Sequence, residues 1–188
     1  MSSGGAVYGE TRHPATERTI AAPTSYYGMH KLTGEGHIAV GGVPYQIARA
    51  GECLRTQEGG GTRRRGRRAF LGQSARNGGL VIHGDGRQTH ELVHVLDVVD
   101  DCVRLASTST ASRIWNVASG RSVTSRTLAE IIEQGVGHPL RRSHSPRRPG
   151  DVRHSYMSGT RLRQLGWSPT VDLEAGIRAL LGSRGRSS

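Results

Sequence analysis

Lysine is all but missing from this chain. Lys31 is its single ammonium side chain in 188 residues, although lysine and arginine together number 26 against 15 acidic residues. Arginine therefore carries the formal charge of +11, a bias that a GC-rich genome also produces without any function behind it. Aromatic residues are equally scarce, at 4% of the chain with a single phenylalanine. The densest basic run, "RRRGRR" from Arg63 to Arg68, has no aromatic ring interleaved on which a base could stack. Basic residues beside stacking platforms mark a nucleic-acid surface. A solvated loop is the expected reading here, and no nucleic-acid partner is predicted. Two cysteines, Cys53 and Cys102, form no CxxC pair. That excludes a disulfide framework and a thiolate metal knuckle, and points to a reducing, cytoplasmic setting. No apolar run reaches the roughly 20 residues a membrane helix needs. No signal-peptide core follows Met1, so no membrane partner is expected.

What is present is alternation. "SYYGMHKLTGEGHI" (25–38) reads as a helix, "VPYQIARAG" as a buried strand, "RAFLGQSARNG" as a short helix stopped by glycine. "LVIHGDG" is a strand entering a tight turn, and "ELVHVLDVVDDCVRLAS" begins with strand alternation and ends with helical spacing at Val98, Val99, Val103, Leu105 and Ala106. "RIWNVASG" is a strand and turn, "TSRTLAEIIEQGVG" a helix, and "LRQLGWSPTVDLEAGIRALLG" two helices around a Trp-Ser-Pro turn. The opening "MSSGGAVYGE" reads as a small-residue turn. Strands alternating with helices predict an α/β fold.

Within this frame two motifs carry chemistry. In "SYYGMHK", Tyr27 and Lys31 stand four apart and share a helix face. A free phenol titrates near ~10, too high for a base at neutral pH, and a neighbouring ammonium favours the phenolate. The pair therefore suits a catalytic tyrosine, and the chain's one lysine lies at this spot. The second motif is His90-Glu91-Leu92-Val93-His94, the HExxH pattern of zinc peptidases. Zinc needs both histidines on one helical turn, but Leu92, Val93 and Val95 are strand formers directly after a tight turn. On a strand the two residues lie roughly 13 Å apart, too far to share a metal at about 2 Å from each. No metal is expected.

Taken in order, "SSGGAVYGE", "SYYGMHKLTGE", "IHGDGRQT", "VHVLDVVD", "WNVASG", "RRPGDV" and "LRQLGWSPTVDLEAGI" resemble the extended short-chain dehydrogenase/reductases. The resemblance is to their NAD-dependent epimerase/dehydratase family, which acts on nucleotide sugars and includes the UDP-glucose 4-epimerases. It covers nearly the whole chain. It implies the later part of a Rossmann-type fold plus a small α/β substrate-binding domain. It also implies NAD as cofactor, a nucleotide-sugar (UDP-sugar) substrate and a possible homodimer. By the same resemblance Tyr27 is the catalytic base, and Lys31 binds the nicotinamide ribose and tunes the tyrosine. Ser2 also lies on the cofactor side. Arg148 and Asp151 fall where the family meets the nucleotide sugar, the arginine on its diphosphate, a task that suits a guanidinium fork.

Several positions depart from the family. Its catalytic serine or threonine would stand at Gly4, which leaves Ser3 as the substitute. Where an arginine follows the Gly-Asp-Gly turn to meet a phosphate, this chain has His90, a weaker partner with an ordinary pKa near ~6.5. The strand, Gly-rich turn and helix that hold the NAD pyrophosphate have no counterpart here. The chain is expected to open where the family's fifth strand ends, with marginal stability and little or no turnover by itself. An internal deletion is inferred around "EGHIAVGG". The residues 52–57, read one nucleotide later with suitable codons, spell Ser-Ala-Tyr-Gly-Pro-Arg, so roughly 52–67 is read as a frameshifted passage. The division that follows is 1–50, the distal part of the NAD-binding domain; 51–87, an irregular segment leading to a helix and strand; 88–110, a strand–helix return; and 111–188, the substrate-binding domain.

Overall fold

The computed structural model describes residues 1–54, 79–108, 111–147 and 151–182. Its first sheet is parallel throughout, with β1 (Ser2–Ser3) and β6 (Arg113–Val117) on either side of β2 (Gln46–Ala50). Ala48, Ala50, Trp115 and Val117 from this sheet are buried, as expected of a parallel sheet covered on its faces. Because β6 belongs to it, this sheet draws on both the 1–50 and the 111–188 segments.

Between β1 and β2 the chain forms α1 (Gly4–Tyr8) and α2 (Tyr26–Val40), in place of the simple turn expected at the start. α2 begins where its sequence says it should. Ser25 is extended and its hydroxyl accepts from the Gly28 amide at 3.2 Å, a normal N-cap. α2 leans on β1 and α1.

Two further groups of strands follow. β3 (Glu52–Leu54) runs parallel to β5 (Thr89–His94), whose other side pairs antiparallel with β7 (Ser122–Thr124). β4 (Gly79–His83) pairs parallel with β8 (Arg141–Ser145). α3 (Val95–Ala106) packs on β2, β3 and β5, and α4 (Ser125–Val136) packs on α6 (Leu173–Gly182). The Thr124 hydroxyl accepts from Thr127 at 3.0 Å to start α4, and Gly137, at φ +79°, ends it. α5 (Thr160–Arg163) precedes the Trp-Ser-Pro turn, so two helices flank it as expected. The apolar interior divides into Leu80, Ile82, Leu128, Ile132 and Ile177 around α4 and α6, and Val93, Trp115, Val117, Leu162 and Trp167 beside the first sheet.

The HELVH segment is a strand, as its β-branched content required. The apolar stripe of α3 differs from expectation. Val98, Asp101 and Leu105 face inward, whereas Val99 and Val103 are exposed. The short helix expected in "RAFLGQSARNG", the "RRRGRR" run and most of the passage read as frameshifted lie outside the described residues. Among the described residues, no helix is long and apolar enough to cross a membrane.

Candidate active site

In open α/β sheets, ligands bind outside the carboxyl ends of the parallel strands. Ser3 stands at that end of β1, where the extended chain turns into α1. Ser2, opposite Arg49 in the β ladder, is buried, and its hydroxyl finds no hydrogen-bond partner among the described residues. The first turn of α2 comes in close beside this segment because Gly28 has no side chain. A Cβ there would lie 2.2 Å from the Ala6 carbonyl oxygen. That approach sets Tyr27 and Lys31 next to α1. The Tyr27 ring is 58% exposed, and the Lys31 ammonium lies 5.7 Å from its centroid. Packing of α2 on α1 and β1 thus brings the helix that carries Tyr27 and Lys31 against the serine segment.

The glycine at position 4 has a reason in the fold. A Cβ on Gly4 would fall 2.0 Å from the Met157 sulfur, and one on Gly5 would fall 2.6 Å from the Ser155 hydroxyl oxygen. Met157 is buried in that place. Its amide donates to Glu91 at 2.9 Å, and hydrogen bonds from Thr11 and Ala15 to His154 and Tyr156 stitch this strap to the N-terminal loop. A serine at position 4 therefore requires the methionine to move. Gly4→Ser is expected to lower stability by about 1–3 kcal/mol. Adding Met157→Ala should return part of that loss, seen as a favourable coupling in a thermal-melt double-mutant cycle.

His90 does not sit where a phosphate could reach it. The ring is 3% exposed, with Nε2 2.7 Å from the Ser125 hydroxyl and Nδ1 3.2 Å from a Glu52 carboxylate oxygen. Both ring nitrogens are engaged inside the protein, so the contact expected from its register would need the side chain to leave these partners. Glu91 is buried too. One carboxylate oxygen accepts from the Ser119 hydroxyl (3.1 Å) and the Gly120 amide (3.0 Å), the other from Met157. Burial raises its pKa, while these donors work the other way. Held in this way, Glu91 clamps β5 to the β6–β7 turn and the 151–158 strap. His94 caps α3, its Nδ1 accepting from Leu96 at 3.3 Å. Among the described residues no group of three or more His, Cys, Asp or Glu could hold a metal.

Asp151 is exposed, and its carbonyl accepts from Arg147 at 3.0 Å. The adjoining chain lies against the Gly-Asp-Gly turn: Gly84 donates to Ser145 at 2.7 Å, and Arg153 pairs with Asp85 at 3.1 Å. Arg148 lies outside the described residues. Reading the sequence by motif missed Gly28, Glu35, Arg49 and Met157. An arginine inside the otherwise apolar "QIARA" was the one visible signal among them.

Known proteins share this sequence pattern and fold. Residues 1–118 match the model of the NAD dependent epimerase/dehydratase family. The chain is 34% identical over 184 residues to the UDP-glucose 4-epimerase of Mycolicibacterium smegmatis, covering 94% of this chain and 58% of that protein. Among solved structures it is similar to the UDP-glucose 4-epimerase of Thermotoga maritima with UDP-glucose (TM-score 0.88, 28% identity, 99% of this chain and 62% of that one). It is also similar to the UDP-glucose 4-epimerase of Thermus thermophilus in complex with NAD (TM-score 0.87, 26% identity, 100% and 63%). The chain spans 47–60% of the length of the curated relatives it matches over most of its own length. By its matched residues and its fold, the chain belongs to the NAD-dependent epimerase/dehydratase family.

Proposed function

We propose that this chain carries the catalytic face of a nucleotide-sugar 4-epimerase that works with NAD on a UDP-sugar. What carries the reading is that α2, packed on α1 and β1, holds an exposed Tyr27 with the Lys31 ammonium 5.7 Å from its ring centroid. Epimerisation is preferred to dehydration because the curated relatives that match along most of the chain are 4-epimerases by name, those of UDP-glucose among them.

Tyr27 takes the proton from the sugar hydroxyl being oxidised and returns it when the hydroxyl re-forms. Lys31 donates to the nicotinamide ribose and holds positive charge one helical turn from the phenol. Ser3 hydrogen-bonds the same sugar hydroxyl and fixes its orientation. Arg148 and Asp151 hold the nucleotide end, the guanidinium fork matching two phosphate oxygens. NAD, when bound, supplies the acceptor and donor of the hydride. The residues fit that cofactor at its nicotinamide end, where the buried Ser2 hydroxyl is still without a protein partner among the described residues. A second reading, a family member that binds but turns over slowly, draws support from the inward His90 and from Met157 over Gly4.

Calorimetric titration of the full chain with NAD and with UDP-glucose tests the proposal. Saturable binding of both is expected. Lys31→Met should weaken NAD roughly 10- to 100-fold, the worth of a charged hydrogen bond. NAD affinity that is absent, or the same in both proteins, would refute the assignment.

A further inference from the structure

α2 carries the proposed chemistry on an unusual footing. Of its fifteen residues only Gly28 and Glu35 are buried, so no buried apolar stripe decides how the helix is turned about its axis. Gly28 sets its closeness to α1. Glu35, four residues beyond Lys31 and eight beyond Tyr27, is on the same line of the helix, and it meets Arg49 of β2.

The contact is a buried fork. Arg49 Nε donates to both carboxylate oxygens at 3.0 and 3.1 Å, and Nη2 donates to one at 2.6 Å. The same guanidinium lies 4.8 Å from the centroid of the Tyr8 ring on α1. Tyr8 in turn donates to Asn116 of β6 at 2.8 Å, and Asn116 donates to the carbonyls of Ala15 (2.9 Å) and Ser158 (3.2 Å). In the sheet Arg49 stands between Ser2 and Asn116. One side chain therefore touches the helix of Tyr27 and Lys31 and the helix that follows Ser3, from the strand that pairs with Ser2–Ser3.

We propose that Arg49, through its fork to Glu35 and its stack on Tyr8, is a positioning residue that fixes the rotation of α2 and the spacing between the Tyr27–Lys31 face and the Ser2–Ser3 segment. It touches no substrate and acts through the two helices. The inference rests on the reading of Tyr27 and Lys31 as the reacting pair. A buried ion pair is often replaceable by apolar residues of similar volume without loss of stability, which separates positioning from mere support.

The test is the double variant Glu35→Met/Arg49→Met in the full chain, beside Arg49→Lys, which keeps the charge but loses the planar fork. Thermal melting, turnover of UDP-glucose with NAD, and amide exchange of residues 4–8 and 26–33 are measured. The double variant should melt near the wild type, lose at least tenfold in kcat with KM little changed, and exchange at least tenfold faster in both helices. Arg49→Lys should fall between. Wild-type turnover and wild-type protection of both helices in the double variant would overturn the proposal. If that variant does not fold, Glu35→Gln, which keeps the shape, is read by the same exchange. A wild type without turnover would refute the proposed function instead, and the exchange data alone would still decide whether Arg49 couples the two helices.

Discussion

Replacing Asp101 by asparagine should stabilise the chain at pH 8 and leave it nearly unchanged at pH 4. Asp101 is 0% exposed, on the inward stripe of α3, and neither carboxylate oxygen has a hydrogen-bond partner among the described residues. Burial, with a smaller push from Asp100, raises its pKa from 3.8 to about 7, against an opposing pull from Arg104. An acid with a raised pKa holds its proton more tightly when folded. Its contribution is fully present below 3.8, the unfolded value, and is lost as pH climbs through about 7. That loss comes to roughly 4 kcal/mol at most. Asparagine keeps the shape without the charge, so denaturant melts at pH 8 should show a gain of about 1–3 kcal/mol that shrinks to nothing by pH 4. A variant equally stable to wild type at both pH values would mean that the carboxylate finds a partner.

Asp101 also shows where reading the sequence stopped short. The period of apolar residues showed that a helix ends the stretch "ELVHVLDVVDDCVRLAS", but put Val99 and Val103, which are exposed, on its inner face. Position 101 lies three beyond Val98 and four before Leu105, so helical geometry put an acid in the buried stripe, visible but unread. The strands and helices with strong periodicity were legible, as were the start of α2 near Ser25 and the strand character of HELVH. β1 and α1 were not. Ser-Ser and Gly-Gly-Ala carry weak propensities, and their structure is imposed by distant contacts, from Arg49, Met157 and Ser155. The Tyr27–Lys31 face was legible because both residues belong to one helix. The Arg49–Glu35 fork and the methionine over Gly4 were not, because each joins segments whose meeting depends on the whole sheet.

Tyr27→Phe carries the largest expected effect on activity. The substitution removes one hydroxyl from a ring that is 58% exposed, so folding should change by no more than about 0.5 kcal/mol. Phenylalanine can neither take nor return a proton, and loss of a positioned acid–base group costs about 10²- to 10⁴-fold in rate. NAD affinity should hold, since the proposed ribose contact belongs to Lys31. A fall in kcat with binding intact would assign proton transfer to the phenol, whereas a parallel loss of binding would make Tyr27 a packing residue.

The most direct measurement is therefore conversion of UDP-glucose to UDP-galactose, in saturating NAD, by the wild-type chain and by Tyr27→Phe side by side. Slow conversion by the wild type, reduced at least ~100-fold in the variant, is the predicted result. No conversion by the wild type, or equal rates in the two proteins, would contradict the assignment of epimerase chemistry to this face of α2.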